Sequence, residues 1–339
     1  MTDVPLDQPL VSTRSARDRI GDQVLRVLAL GAAGAGFAIL LAIAYQTFAH
    51  SHLAFSRFGL GFLTGGAWDA THGVFGARNF IYGTLITSFG ALLIGAPLAI
   101  AIALFLNEVA PRRLRTVIAS LIELLAAIPS VVLGLVGILV LGPFVRDYVY
   151  PALTGPLGWI PFFSKVDNPN GSSIMTAVVV LTIMVVPIIA AVTLEVLRAV
   201  PSDLKEGSLA LGSTQWEMIR GVMLPAAKPG ITAAIILGFG RAAGEAIAVT
   251  MVIGGSNIGR YWSTFNTGDT LGSRIANEFQ NAVSNLQASS LLYLGAVLLA
   301  MSLIVNILAQ VVVNAMSDQP KKRRAQWFGF AFGDPGAKS

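Results

Sequence analysis

Six stretches of this chain are long and apolar enough to cross a bilayer: residues 24–48, 81–106, 117–141, 174–194, 231–253 and 291–313. About 20 apolar residues in a helix span the hydrocarbon layer. Inside that layer every backbone polar group must bond within its own segment or to its neighbours, which leaves helices or closed barrels. Runs of this length with no period-two alternation specify helices. Only 12% of the 339 residues are charged and the mean hydropathy is +0.70, whereas soluble domains carry about 25% charged residues. The chain is therefore expected to be all-α: one polytopic membrane domain with six spans over residues 24–316, between a polar tail at 1–23 and a basic tail at 317–339. The first apolar stretch is too long for a signal-peptide core and is expected to remain as a span.

Orientation follows from the basic residues. Six spans put both tails on one side. That side holds about 16 lysines and arginines, including Arg14, Arg112, Arg113, Arg115, Lys205, Lys228 and the run from Lys321 to Arg324; the other holds six, namely Arg57, Arg78, Arg146, Lys165, Arg260 and Arg274. Positive residues mark cytoplasmic loops, so both termini are expected in the cytoplasm. The net charge of +5 is thereby a topology signal, and it does not point to nucleic acid. The run 321–324 reads as a topology anchor, in preference to a lipid-recognition patch. No cysteine is present, which excludes disulfides, thiol nucleophiles and cysteine metal sites. His50, His52 and His72 are poorly spaced for a metal, and no metal ligand set is assigned. Three segments outside the membrane are long (51–80, 142–173 and 254–290) and are candidates for partner contact. Pro97, Pro129 and Pro187 fall inside the second, third and fourth predicted spans, as kinks or packing points. No internal repeat is evident.

The longest polar, helix-like passage lies between the fourth and fifth stretches, within a predicted cytoplasmic loop at about 198–229. Asp203 with Glu206 has the spacing of a capping box, and so does Thr214 with Glu217. Gly212 can supply the left-handed conformation that ends a helix. Leu204, Ser208 and Leu211 share one side of the first helix, and Trp216, Ile219, Val222 and Met223 form an apolar stripe on the second, which Leu224-Pro225 is expected to stop. Such an element either connects two spans along the membrane surface or docks into a groove of another protein.

The fifth stretch re-enters the membrane carrying Arg241 and Glu245. Four residues apart, they share a helix face. A lone charge at the bilayer centre costs about 2.5–3.5 kcal/mol on insertion scales, so such groups face the bundle interior, pair, and mark pathways. A guanidinium fork suits an oxyanion, and Glu245 could neutralise Arg241 in its absence. A purely structural ion pair is the alternative. Glu123 and Glu195 lie nearer span ends, and Glu195 is placed to pair with Arg198.

These segments resemble those of a known family. Residues 206–225 are similar to the EAA loop of ABC importer permeases in Glu206, the small pair Gly207-Ser208, Gly212 six residues after the glutamate, and the terminal Leu224-Pro225. The family usually has Ala-Ala where this chain has Gly207-Ser208, and Gly207 costs the helix about 1 kcal/mol relative to alanine. Residues 238–254, with Gly238-Phe239-Gly240-Arg241-Ala242-Ala243-Gly244-Glu245 and then Ala248-Val249-Thr250-Met251, resemble the fifth span of phosphate importer permeases of the PstC type. So do Ile81-Tyr82-Gly83-Thr84-Leu85, Ala127-Ile128-Pro129-Ser130-Val131-Val132 and Glu195-Val196-Leu197-Arg198.

The resemblance implies the type-I ABC importer (MetI-like) permease fold in a bacterial inner membrane. It implies a homologous second permease, two ATPase subunits that bind ATP-Mg, and a periplasmic phosphate-binding protein. It also implies ATPase coupling through Glu206, Gly207, Ser208, Gly212, Trp216, Leu224 and Pro225, and a pathway or gate at Arg241 and Glu245. The chain has no Gly-x-x-x-x-Gly-Lys-[Ser/Thr] phosphate loop, so it is expected to be a transport subunit and no enzyme by itself, with no cofactor of its own. A permease for sulfate or molybdate, and an ATPase-independent channel or secondary transporter, are the competing readings.

Overall fold

The computed structural model describes residues 16–166, 171–255 and 263–316. The basic run 321–324, Arg260 and most of the N-terminal tail lie outside the described residues. Two units are described separately: the helix Ala16–His50, and the remainder from Ser51 onward. Among the described residues, six helices are long and apolar enough to cross a membrane: Gln23–His50, Arg78–Val109, Ser130–Thr154, Ile174–Arg198, Gln215–Gly244 and Asn285–Val311.

The core of the second unit is the pairing of the second span with the fourth. Gly83, Thr87, Ala91, Gly95, Ala99 and Ala103 are all buried on the second span and recur every fourth residue, a row of small residues that winds by about 40° per step, so that Ala91 and Ala99 meet the fourth span while Gly83 lies against the backbone of Asp269. A Cβ on Gly95 would sit 3.0 Å from a Val185 methyl, and one on Gly90 would sit 3.0 Å from a Val178 methyl. Between apolar helices in lipid, such close approach supplies the packing that a hydrophobic gradient cannot. The fourth span is the most enclosed of the six, with 67% of its central window buried. It fills the other side with Val180, Leu181, Val185 and Ile189.

Three boundaries differ from the sequence reading. The third span is not 117–141. Residues Arg112–Ala126 form a separate helix with one side on the fourth span through Ile118 and Ile122, and Leu121 and Leu124 exposed. The chain then turns at Ala127–Ile128, and Pro129 lies outside any helix, directly before Ser130. Proline has no N–H and disfavours a helical residue before it, so the apolar run is cut there and the span moves downstream to Thr154. Part of the expected outside segment 142–173 is therefore helical. Pro97 and Pro187 do lie inside helices. Leu224-Pro225 does not stop its helix. A π-type turn at Ile219–Met223 precedes the proline, and such a turn accommodates a missing i−4 hydrogen bond, so helix runs from Gln215 to Gly244.

At one end of the unit a cap closes over the second and sixth spans. The short strands Trp68–Asp69 and Val74–Phe75 pair antiparallel. Phe62 stacks on Tyr293 at 4.3 Å between ring centroids, and Trp68 meets Phe75 and Phe80 edge-on. The helix Leu271–Glu278 completes this cap, while the segment from Ser263 packs through Phe265 against Val145, Met175 and Val178.

Candidate functional site

Arg241 occupies the last turn of the helix Leu224–Gly244, where a cation is favoured by the helix carbonyls. Glu245 then leaves helical geometry at φ −74°, ψ 116°, and a new helix runs Ile247–Ile253. The two residues are thus not on one unbroken helix, as their spacing suggested. The break nevertheless keeps them together: Arg241 Nη2 is 3.5 Å from Glu245 Oε2. The other carboxylate oxygen accepts the Ala248 N–H at 3.2 Å and holds the start of the second segment. A charge-assisted pair normally closes to about 2.7–2.9 Å, so this one is loose.

Exposure separates the partners. The Glu245 side chain is 6% exposed and the Arg241 side chain 47%. Arg241 lies between two cavities. One of about 520 Å³ is lined by Ile188, Ala233, Ile236, Leu237, Gly240, Arg241 and Asn306; the other, about 250 Å³, has Leu125, Ile128, Leu133, Met184, Ile188 and Arg241 among its walls. Among the described residues, Arg241 is the only charged side chain lining either. A cation on an apolar wall, held by a loose counter-charge, can exchange that carboxylate for a passing anion. Asn306 adds a second polar group. The sequence reading missed it because a single asparagine in an apolar span carries no spacing signal.

The polar element at 203–225, expected to couple to an ATPase, forms as a helix, a glycine turn and a second helix start. Asp203 lies in the first turn of Ser202–Ala210 and does not cap it. Pro201 holds the N-cap position and no side-chain cap bond forms, so the expected Asp203/Glu206 box is absent. At the other end Gly212 has φ +87°. The Ser213 N–H donates to the Ser208 carbonyl and the Gly212 N–H to the Leu209 carbonyl, the paired bonds of a Schellman ending. Thr214 and Glu217 form the predicted capping box. Glu206, Gly207, Trp216 and Pro225 are exposed or nearly so, Ser208 and Leu224 half-buried. Leu204 and Leu211 also face outward, at 49% and 91% exposure. Of the expected stripe, Ile219 and Met223 are buried and Trp216 is not; the helix turns its indole away from the bundle. The element therefore has two sides: an inner one built into the core, and an outer one that presents apolar residues to its surroundings.

Three further groups of charged residues lie outside these two regions. The Lys205 ammonium pairs with Glu108 at 2.9 Å, from the end of the second span. Glu195 and Arg198 pair at 2.8 Å, as their spacing suggested, and with Glu123 line a cavity of about 310 Å³. In the cap, Arg274 Nε is 2.8 Å from Asp269 Oδ2 and its Nη1 is 2.5 Å from Glu278 Oε1. The Arg274 guanidinium also lies 4.9 Å from the Phe80 ring centre. Trp68 Nε1 donates to Glu278, and the Ser273 hydroxyl donates to Asp269. Burial pushes the Asp269 carboxyl up, while Arg274 and the Ser273 hydroxyl draw it down.

The long helices packed around a central pair of spans have a counterpart among solved structures. One chain of a bacterial alginate ABC transporter, solved with its alginate pentasaccharide-bound periplasmic protein, superposes with a TM-score of 0.57 at 18% identity, covering 90% of this chain and 99% of that one. At that identity the likeness concerns the fold, which is the type-I importer permease fold.

The chain belongs to the family of binding-protein-dependent transport system inner membrane components, whose model matches residues 79–318. Among its relatives, the phosphate transport system permease protein PstC of Mesorhizobium japonicum is 38% identical over 317 residues, 91% of this chain and 96% of that protein. The protein of the same name from Pasteurella multocida is 40% identical over 279 residues, 82% of this chain and 87% of its own length. The PstC 2 protein of Mycobacterium tuberculosis is 34% identical over 321 residues, covering 93% and 98%.

Proposed function

We propose that this chain is a permease subunit of an ATP-driven phosphate importer, with Arg241 facing the translocation pathway and Glu245 as its gate. The observation that carries this is Arg241 itself: a half-exposed guanidinium in a transmembrane helix break, the only charged side chain lining two cavities among the described residues, with its carboxylate held 3.5 Å away. Intramembrane charges of this kind mark ion pathways, and the relatives' names supply phosphate as the ion.

In this reading both termini are cytoplasmic, following the distribution of basic residues. A homologous second permease completes the pathway. Two ATPase subunits receive Glu206, Gly207, Ser208, Gly212, Trp216, Leu224 and Pro225 in a cleft, and a periplasmic phosphate-binding protein docks at the opposite face. An incoming oxyanion displaces Glu245 from Arg241 and takes its bidentate geometry. When the anion leaves, Glu245 returns and removes the positive charge that would otherwise hold the next one too tightly.

The test is labelled-phosphate uptake into vesicles carrying the whole complex, comparing the native chain with Arg241→Gln and checking assembly by copurification. Loss of uptake in an assembled complex is the expected result. Uptake at the native rate would reduce Arg241 to a packing residue. Sulfate or molybdate uptake with no phosphate uptake would replace the substrate.

A further inference from the structure

We propose that Glu108 is a positioning residue that latches the coupling element to the second span, so that this span carries ATPase-driven movement through the membrane. The proposal rests on the coupling role above and adds the route by which movement leaves that element.

The second span ends in a π-type turn, Phe105–Val109. The wider turn presents two adjacent residues, Asn107 and Glu108, to the coupling element and its neighbours. Glu108 takes the Lys205 ammonium at 2.9 Å, with the lysine side chain 20% and the glutamate side chain 12% exposed. Its backbone carbonyl accepts from Gln215 Nε2 at 3.4 Å. Lys205 and Gln215 stand on opposite sides of the Gly212 turn, so one residue of the second span holds both arms of the element. Asn107 binds the same junction: its amide donates to the Glu108 carboxylate at 2.7 Å and lies 3.8 Å from Met223 Sδ, and its carbonyl accepts from Arg115 at 2.8 Å. Ion pairs this enclosed keep their geometry better than solvated ones, which contribute little.

The rest of the span is built to transmit. Its small residues let it lie close on the fourth span from about Gly90 to Ala99. At the far end the Thr84 hydroxyl accepts the Leu271 N–H at 2.9 Å, next to the cap that holds Asp269 and Arg274. One rigid element thus joins the coupling surface to the cap, while the outer side of the coupling element is left to the ATPase.

The chain has no cysteine, which permits a direct test in the full complex. With Glu108→Cys and Lys205→Cys in one chain, a short bifunctional thiosulfonate should bridge the pair equally in the nucleotide-free and vanadate-trapped states, because the two residues move as a unit. Bridging in one state only would overturn the latch. The second measurement is phosphate moved per ATP hydrolysed. Glu108→Lys and Lys205→Glu should each lower that ratio tenfold or more in complexes that still assemble, and the double swap should restore it to within about threefold. Single variants with a native ratio, or an assembled swap that stays uncoupled, would overturn the proposal. A native complex that moves no phosphate would sink the substrate reading alone; the trapped-state bridging would still decide the latch.

Discussion

Arg241 and Arg274 each begin the same short pattern, an arginine with a glutamate four residues later, and the fold gives the two opposite settings. Arg274 sits in the cap with its side chain 8% exposed, gripping Asp269 and Glu278 at 2.8 and 2.5 Å against the face of Phe80. Arg241 sits 47% exposed at a helix break, 3.5 Å from one carboxylate. In the cap the helix Leu271–Glu278 is unbroken, so position four closes directly onto the arginine. In the fifth span the chain leaves helical geometry at the glutamate, which turns one oxygen to a backbone amide and slackens the pair. A buried arginine held close to two carboxylates fixes structure. A slack pair leaves a cation available.

The contrast breaks most forcefully in the cap. Arg274→Leu leaves Asp269 buried without its counter-charge, and removing one partner of a buried pair costs about 3–5 kcal/mol. Thermal unfolding of the purified complex should show a large loss, with poor recovery of the chain. The loss should depend on pH. Burial already raises the Asp269 carboxyl in the folded state, and without Arg274 it rises further. A carboxyl raised on folding favours the folded state below its unfolded pKa and loses that contribution as pH rises through the folded value. The deficit of Arg274→Leu should therefore shrink as the pH falls toward about 4, the ordinary aspartate range, and grow toward neutrality.

Arg241→Gln should do the reverse: leave the unfolding temperature nearly native and cut phosphate uptake about a hundredfold, roughly 2.7 kcal/mol of barrier. If instead it melts like Arg274→Leu, both arginines are structural and the contrast disappears. Glu245→Gln is expected to act less strongly. The amide oxygen can still accept from Ala248, so the helix start survives, but Arg241 loses its competing charge; turnover should fall about tenfold, or roughly 1.4 kcal/mol, while the apparent affinity for phosphate rises. A parallel fall in both would point to a disturbed fold instead of a lost gate. Gly207→Ala, remote from both arginines, is the smallest change. A Cβ there meets nothing within 4 Å, and the substitution should strengthen the Ser202–Ala210 helix by about 1 kcal/mol or less with uptake unchanged. Lost ATPase binding would mean that the docking cleft needs bare backbone at that position.

The number of spans was readable because hydrocarbon thickness sets a length that apolar runs either reach or miss. The register of the third was not. Leu114, Val117, Ile118, Leu121 and Ile122 cover more than one face of an amphipathic helix, so hydropathy merges 117–126 with the apolar residues beyond Pro129, and only that proline records the cut. The helix-turn-helix at 202–223 was legible where its signals are local, at Gly212 and the Thr214/Glu217 box. It was misread at Asp203, because Pro201 ends the preceding extended backbone one position too early for Asp203 to cap. The Arg241 site was found from charge in an apolar run, but the break at Glu245 was not, since Gly244 alone is weak notice of it. Lys205 and Glu108 are 97 positions apart; nothing local in either segment announces a contact made by the tertiary fold. The cap pattern at Arg274 was available in the spacing and went unread, because outside a membrane an arginine four residues before a glutamate is ordinary.

The π-type turn at Phe105–Val109 has a consequence for chain length. Each residue added to or removed from an α-helix rotates everything beyond it by about 100°. Between the Thr84 contact and Glu108 the second span works as a ruler with a phase, meeting the cap at one end and Lys205 at the other. A deletion inside the row of small residues would swing Glu108 to the wrong side of the bundle. A deletion inside the wide turn has a different remedy, since the turn already holds one residue more than an α-helix needs and can relax into one. The same turn that presents Glu108 is thus where the span can absorb an error in its own length.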